Sequence, residues 1–339
     1  TDMNYCGIDV ASKSSDISII DEVGNQLRRQ EIATEAGDIT GALAGYGKLV
    51  VIIEAHPLAE TVARIVEEAG HKAVIIDARA AKNLMSAMKK TDRRDAQTLA
   101  EIGRCGWYIE VHRKSAAARE MRSILQARQA LLKSSKALAS SIRGLLRAHG
   151  IRLGKVSKGQ FAAQVTKAAE QEVPGLVPAL SGMLEAWLVA EERAEQIKQA
   201  LVAACQQDKI SACLESTPGI GPIISTAYRA TIDDPHRFKC GDEVSDYLGL
   251  VPRIYQSGDV EYRGSITKEG DGLLRSLLVE GAHVLLTRGQ DCALKRWGLS
   301  LEKRKGSAKA KVAVARKLAV LLWRLWKEEK MFEAFPQTV

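Results

Sequence analysis

The chain has 339 residues, room for two or three domains and a sizeable core. An apolar share of 46% and a charged share of 27% argue against a disordered chain, and aromatics at 5% argue against base stacking as the main grip on a nucleic acid. Lys and Arg outnumber Asp and Glu by 49 to 41, a net charge of +8 that points to a polyanionic partner.

In chain order, YCGIDV reads as a short apolar strand ending at Asp9 rather than as a charged-then-apolar leader. SDISII alternates with the two-residue period of a strand, DEVGN carries turn chemistry, and QLRRQEI can return as a third strand. A helix is expected near 38–46, then the continuous apolar run LVVII at 49–53, which suits a central parallel strand buried on both faces. Residues 58–69 read as a helix stopped by Gly70, KAVII at 72–76 as a strand, and 78–88 and 92–105 as helices. A β-meander followed by β-α-β-α is the element order of the ribonuclease H-like α/β fold, although other α/β folds begin in the same way.

From Ala116 to Leu146 the pattern becomes one long helix. Met121, Ile124, Leu131, Leu138, Ile142 and Leu145 form a seam of three- and four-residue steps, interrupted by Arg128 and Ser135. Such a seam packs either on a second helix, of this chain or another, or on the protein's own core. The Gly- and Lys-rich piece at 150–161 is expected to be a loop. A further helix spans about 180–207, apolar at Leu184, Trp187, Leu188 and Ile197. A mostly helical third region begins near Ile210, so the expected domains are 1–112, a helical or coiled-coil spacer at 113–209, and 210–339. The longest apolar run, Leu318 to Trp323, is too short to span a bilayer. The six cysteines show no CxxC pair and the six histidines no HExxH, so buried, reduced thiols in a cytosolic protein are expected rather than a zinc site.

Charge is local. Residues 113–148 hold nine Lys/Arg against Glu120 alone, and 295–324 hold ten against Glu302 alone. Arg122, Lys133, Lys136 and Arg143 on the long helix are candidates for nucleic-acid backbone contact.

Three groups of residues carry chemistry. Asp9 and Glu54 each end a strand, where the carboxyl edge of an open α/β sheet faces its crevice. In KKTDRRDAQTLAE, Asp92 and Asp95 stand at i and i+3 on one helix face. Four carboxylates converging there would repel unless a cation such as Mg²⁺, which favours hard oxygen ligands, lay between them. The plainer reading is a helix N-cap at Thr91 or Asp92 with Asp95 favoured by the helix dipole. In STPGIGPIISTAYRATI, Gly219 and Gly221 before a helix offer backbone N–H groups to a phosphate, as in a helix-hairpin-helix element, or form an ordinary tight turn. In the block from Asp246 to Leu278, Arg253, Arg263 and Lys268 surround Tyr255, Ser257 and Ser265. A hydroxyl among cations can attack a phosphodiester, yet the spacing does not say which, and Ser257–Gly258 also reads as a hairpin turn.

The ordered blocks GIDVASKSSDISI, VVIIEA, KKTDRRDAQTLAE, STPGIGPIIS, YLGLVPRIYQSG and ITKEGDGLLRSLLVEGA, spread over nearly the whole chain, resemble the DEDD-type insertion-sequence transposases of the insertion-sequence-110 family, which also includes Piv-type DNA invertases. The resemblance implies a RuvC-like domain whose metal-binding acids fall on Asp9, Glu54, Asp92 and Asp95, with Mg²⁺ as cofactor. It implies a transposase domain in which Ser257 is the nucleophile, forming a phosphoserine bond to cut DNA. It further implies a homo-oligomer, dimer or tetramer, with composite active sites, acting on donor and target DNA under a structured guide RNA. Two departures stand in the pattern: AHP follows Glu54 where relatives place a small hydroxyl residue and glycine, and IIDARAA lacks the usual Asn-Pro. Alternatives to a serine recombinase are a RuvC-type nuclease in which water attacks, a Piv-type invertase, and a non-catalytic nucleic-acid-binding protein. An actin-like ATPase is disfavoured because no GxxxxGK[ST] loop is present.

Overall fold

The computed structural model describes residues 3–77, 95–206, 208–257 and 260–336, with the backbone alone over 254–257 and 260–263. The chain divides into two compact units, Thr1–Arg113 and Lys114–Val339.

The first unit is a five-stranded sheet: β1 (Asn4–Val10), β2 (Ser14–Ile20), β3 (Gln26–Ala33), β4 (Leu49–Glu54) and β5 (Lys72–Ile76). Their order is β3-β2-β1-β4-β5, antiparallel from β3 to β1 and parallel from β1 to β5. The DEVGN turn forms because the Asp21 carboxylate accepts from the backbone N–H of Val23 and Asn25, at 3.0 and 2.8 Å, and Gly24 supplies a φ of 95°. Helices α1 (Ala36–Leu43) and α2 (Ala59–Glu68) cover one face over Ile8, Ile17, Ile53 and Ile75. Helix α3 (Asp95–Cys105) covers the other, over Ile52, Val74 and Ile76 through Leu99 and Ile102. The LVVII run is therefore buried from both sides. The helix expected at 78–88, and residues 92–94 of the next, lie outside the described residues.

Helix α3 reaches the sheet by backbone contact. A Cβ at Gly7 would stand 1.9 Å from the Ala96 carbonyl oxygen, and one at Gly103 would stand 2.6 Å from Ile52 Cγ1. After β5, the Val111 N–H reaches the Ile75 carbonyl at 2.7 Å, and Arg113 is clamped by Glu60, 2.9 Å, and Glu67 of α2.

Among its described residues the second unit is helical apart from one hairpin: α4 (Ala116–Ala148), α5 (Lys158–Glu172), α6 (Val177–Cys205), α7 (Lys209–Glu215), α8 (Pro222–Ile232), α9 (Gly241–Tyr247), strands β6 (Pro252–Ser257) and β7 (Val260–Ile266), then α10 (Gly272–Thr287), α11 (Ala293–Lys305) and α12 (Ser307–Glu328). The expected loop at 150–161 ends earlier than its composition implies, because Ser157 leads into α5 at Lys158. That helix was not legible in the pattern; its buried face is only Phe161, Val165 and Ala169. Leu138 and Ile142 of the α4 seam pack against α6 of the same chain, Met121 and Ile124 join the main core, and Leu145 is 40% exposed because Leu146 takes the buried position beside it. The polar interruption has a partner on α6, since the buried Ser135 hydroxyl hydrogen-bonds Glu191. Phe161 and Trp187 meet edge to face at 5.0 Å in this helical layer. Leu188, expected on the apolar side of α6, is 49% exposed. Of the cysteines expected to be buried, Cys105 and Cys240 are exposed, each at the end of a helix rather than on its packed face. The main core lies farther along, around the fully buried Tyr228, whose hydroxyl donates to the Ala319 carbonyl at 2.6 Å.

Replacing Gly7 by Ala would force α3 off β1. The expected result is a loss of about 2–4 kcal/mol of stability in the first unit, by the cost of overpacking against backbone. A chemical-denaturation midpoint equal to that of the unmodified protein would contradict the close approach.

Candidate active site

The register of the first sheet assembles an acidic edge. Ile8 of β1 pairs with Ile53 of parallel β4, so Asp9 and Glu54 follow side by side at the carboxyl ends of two central strands. Side chains alternate along a strand, so Asp9 shares its face with Gly7, and Glu54 with Ile52, the face that α3 covers. The described part of α3 runs from Asp95, next to Ala96 over Gly7, toward Tyr5 and Ile52 at Gly103. Asp95 therefore lies toward the same edge as the two strand-end acids. Asp92 lies outside the described residues. Among the described residues, no three His, Cys, Asp or Glu side chains are grouped to hold a metal ion. What the fold brings to one edge is Asp9, Glu54 and Asp95.

One further acid shares this face. Asp16 of β2 stands directly opposite Asp9 and is itself opposite Glu31 of β3. Like charges facing each other across a ladder are destabilising. SDISII shows Asp16 only as the polar step of an alternating strand; its position opposite Asp9 depends on the register.

In the second unit, Ser257 is the last residue of β6, paired with Val260, and Tyr255 lies two positions back, opposite Tyr262. The ladder slips by one residue between Pro252 and Ile254. The foot of this hairpin is a backbone-to-backbone contact between 247–251 and 267–270. Gly249 has a φ of 62°, and a Cβ there would stand 2.1 Å from the Glu269 carbonyl oxygen. Gly270 has a φ of 75°, with the Tyr247 carbonyl oxygen 2.2 Å from its would-be Cβ. Lys268 holds a left-handed φ of 61°, its N–H donating to the Gly249 carbonyl at 3.2 Å. Arg253 Nη2 donates to the Thr267 carbonyl at 3.2 Å, and Arg275 Nη1 to that of Leu248 at 3.1 Å. Arg253 and Lys268 are exposed, and of Arg263 the structure gives its pairing with Ile254.

A second set of contacts ties the start of α4 to this region, between residues too far apart in sequence for spacing to reveal. Lys114 Nζ donates to the Thr231 carbonyl at 2.6 Å and to the Tyr247 hydroxyl at 3.0 Å. Asp233, with a φ of 65°, accepts from Ser115 N–H at 2.9 Å and from its hydroxyl at 2.6 Å. The Arg237 guanidinium lies over the Tyr247 ring at 4.3 Å. Burial alone would push the Tyr247 phenol up, but Lys114 and Arg237 outweigh it and hold it below its usual value.

The glycine turn of the second unit divides its duties. Gly219, with a φ of 90°, packs on α10, where a Cβ would stand 2.4 Å from the Gly281 carbonyl oxygen. Gly221 begins α8 and has open space around it. The basic residues of α4 divide as well. Arg122 pairs with Asp271 at 2.6 Å and reaches Thr231 Oγ1 at 3.2 Å. Arg143 donates to the Leu153 carbonyl at 3.0 Å and lies over the Phe161 ring at 5.2 Å. Lys133 and Lys136 are exposed.

These two constructions coincide with two matches to known proteins. A DEDD-type transposase model of the IS110 kind matches residues 6–151, and a model described as the transposase IS116/IS110/IS902 family matches residues 211–297. The putative transposase y4pF/y4sB of Sinorhizobium fredii is 30% identical over 78% of this chain and 69% of its own length. The chain belongs to the IS110 family of insertion-sequence transposases. The transposase for insertion sequence element IS1111A of Coxiella burnetii is 28% identical over 98% of this chain and 92% of its own. A probable family 20 transposase of Pseudomonas aeruginosa is 27% identical over 97% and 98%. Family membership brings DNA cleavage and transfer as the general activity of this transposase, and the DEDD type of its first matched region suggests use of a divalent metal. No helix among the described residues of the transposase is long and apolar enough to cross a membrane.

Replacing Lys114 by Met should move the Tyr247 phenol upward, since its nearest cation is gone while its burial remains. Ultraviolet titration compared with a Tyr247→Phe control would show it. An unchanged titration would mean that Lys114 does not govern the phenol.

Proposed function

We propose that this transposase cuts and rejoins DNA through a covalent bond to Ser257, with Asp9, Glu54, Asp92 and Asp95 holding Mg²⁺. The observation that carries the reading is the pairing of Ile8 with Ile53, which sets Asp9 beside Glu54 at a sheet edge toward which Asp95 of α3 also lies. Strand order β3-β2-β1-β4-β5, with these acids at the carboxyl ends of its central pair, supports a RuvC-like assignment for this unit. The donor chemistry fits: carboxylate oxygens suit a hard divalent cation, and such a cation offsets the repulsion between Asp9 and its neighbour Asp16. When bound, the ion supplies charge neutralisation at the phosphate oxygens.

The chain's own steps follow from its hydroxyl. Ser257 Oγ attacks the scissile phosphorus and forms a phosphoserine ester, while the DNA oxygen that leaves takes up a proton. A free DNA hydroxyl then attacks the ester, restoring the strand and the serine hydroxyl without ATP. The fixed foot of the hairpin, at Gly249 and Gly270, limits the positions Ser257 can take. Tyr255 is the competing nucleophile on the same strand.

Sequence choice in this proposal rests with a structured guide RNA. The sparse aromatics and the exposed Lys133 and Lys136 support a protein that holds backbones rather than reads bases. Arg253, Arg263 and Lys268 join them near the hairpin, and Gly221 offers a helix-hairpin-helix type of backbone contact. A cytoplasmic homo-oligomer, dimer or tetramer, completes the reading, with 113–209 as the spacer between the acidic domain and the transposase domain at 210–339.

Ser257→Ala should abolish the denaturant-resistant protein–DNA adduct while Tyr255→Phe retains it. Phosphotyrosine in the trapped adduct would transfer the role to Tyr255, and cleavage without any adduct would favour a RuvC-type nuclease. Separately, Mg²⁺ should raise the melting temperature of the unmodified protein and not that of Asp9→Asn. Equal shifts in both would remove the acids from the metal site.

A further inference from the structure

The α11–α12 corner carries charge that the fold does not use. Lys303, Arg304, Lys305, Gly306, Ser307, Ala308 and Lys309 form one uninterrupted exposed stretch. Among the described residues, Lys303, Lys305 and Lys309 have no ion pair, and Arg304 reaches only the Ser300 carbonyl one turn back, at 3.4 Å. Several other cations of these helices are engaged, although Lys311 and the exposed Arg324 of α12 make no ion pair among the described residues. Arg296 pairs with Asp291, Arg316 pairs with Asp242, and Lys317 lies over the Trp297 ring at 4.5 Å.

The ordinary explanations cover only part of this. Lys303, Arg304 and Lys305 end α11, where cations are favoured by the helix dipole. Lys309 is in the first turn of α12, where the dipole opposes a cation, and that turn contains no acid. A surface built only for solubility mixes both signs, whereas 295–324 holds ten cations against one acid.

The corner is also held in shape. Gly306, with φ 83° and ψ 160°, ends α11 and begins α12 in a conformation essentially confined to glycine. It brings the basic end of one helix next to the basic start of the other. Behind it, Gly298 lets α11 lie against Leu286 and Val314, each 2.7 Å from where a Cβ would stand. Nothing lies within 4 Å of a Cβ built at Gly306, and the small Ser307 and Ala308 leave the tip open to a broad ligand.

We infer that the α11–α12 corner, through Lys303, Arg304, Lys305 and Lys309, is a sequence-independent docking site for the phosphate backbone of duplex DNA. The inference rests on the family's action on DNA and does not depend on the nucleophile or on a guide RNA. Phosphates of one strand would meet four cations whose charge is otherwise unpaired in the described protein, with release of counterions as the driving force.

The test is equilibrium binding of the full chain to two duplexes of unrelated sequence across a salt series. The variant with Lys303, Arg304, Lys305 and Lys309 all replaced by Gln should bind both at least about tenfold more weakly, with a salt slope smaller by roughly one for each cation removed. A variant with Lys303, Lys305 and Lys309 replaced by Arg should retain the slope and affinity, and melting temperatures should show both variants folded. A Gln variant with the slope of the unmodified protein would overturn the inference, as would a loss confined to structured RNA with duplex binding intact. Failure of the unmodified chain to bind any duplex would sink the reading beneath it as well, which keeps the two failures distinct.

Discussion

Helix α3 can lie against β1 only because position 7 carries no side chain. Its backbone occupies the space where a Cβ would be, 1.9 Å from the Ala96 carbonyl oxygen, and this fixes how the helix sits relative to the strand ends. Asp95 is the residue before that contact, so the approach at Gly7 locates it as surely as the strand register locates Asp9 and Glu54. The acidic edge depends on one missing side chain together with one parallel pairing. Neither stabilises the acids themselves. The apolar faces over Ile52, Val74 and Leu99 supply the burial energy, and the carboxylates are carried on the margin of that core.

The second unit uses the same device at the foot of its hairpin. Gly249 and Gly270 let two chain segments meet backbone to backbone, and Arg275 closes the joint on the carbonyls of Leu248 and Glu269. The strand that ends at Ser257 thus leads out of a joint closed by backbone contacts at its other end. Lys114 and Arg237, on either side of Tyr247, connect this joint to the start of the long helix α4. A perturbed phenol in this place reports a structural node with two cations on it, and a free hydroxyl among cations is not required to explain it.

Cations of this protein fall into two populations that composition cannot separate. Arg122, Arg143, Arg237 and Arg275 are spent on carboxylates, carbonyls and rings within the fold. Lys133, Lys136, Lys303, Lys305 and Lys309 are exposed. The division does not follow residue type, since Lys114 is engaged on Thr231 and Tyr247 while Arg304 is exposed. The basic run of α4 is therefore less available to a polyanion than its count of Lys and Arg implies, whereas the cations of the α11–α12 corner are open to one.

Much of the fold was legible in the residues alone. Two-residue alternation in SDISII, the apolar run LVVII and the stop at Gly70 place strands and helices because those periods follow from backbone geometry. Helix α5 was not legible, since its buried face is three residues wide and its start is rich in glycine and lysine. The ordered motifs were enough to indicate the family, whereas no motif shows that Asp16 stands opposite Asp9, that Gly219 packs on Gly281, or that Arg122 belongs to Asp271. Such facts depend on register and on helix crossings, which arise between elements distant in the chain. Local pattern determined what each segment is; only tertiary packing decided which charges meet, because a side chain's partner is set by the surface it is folded against.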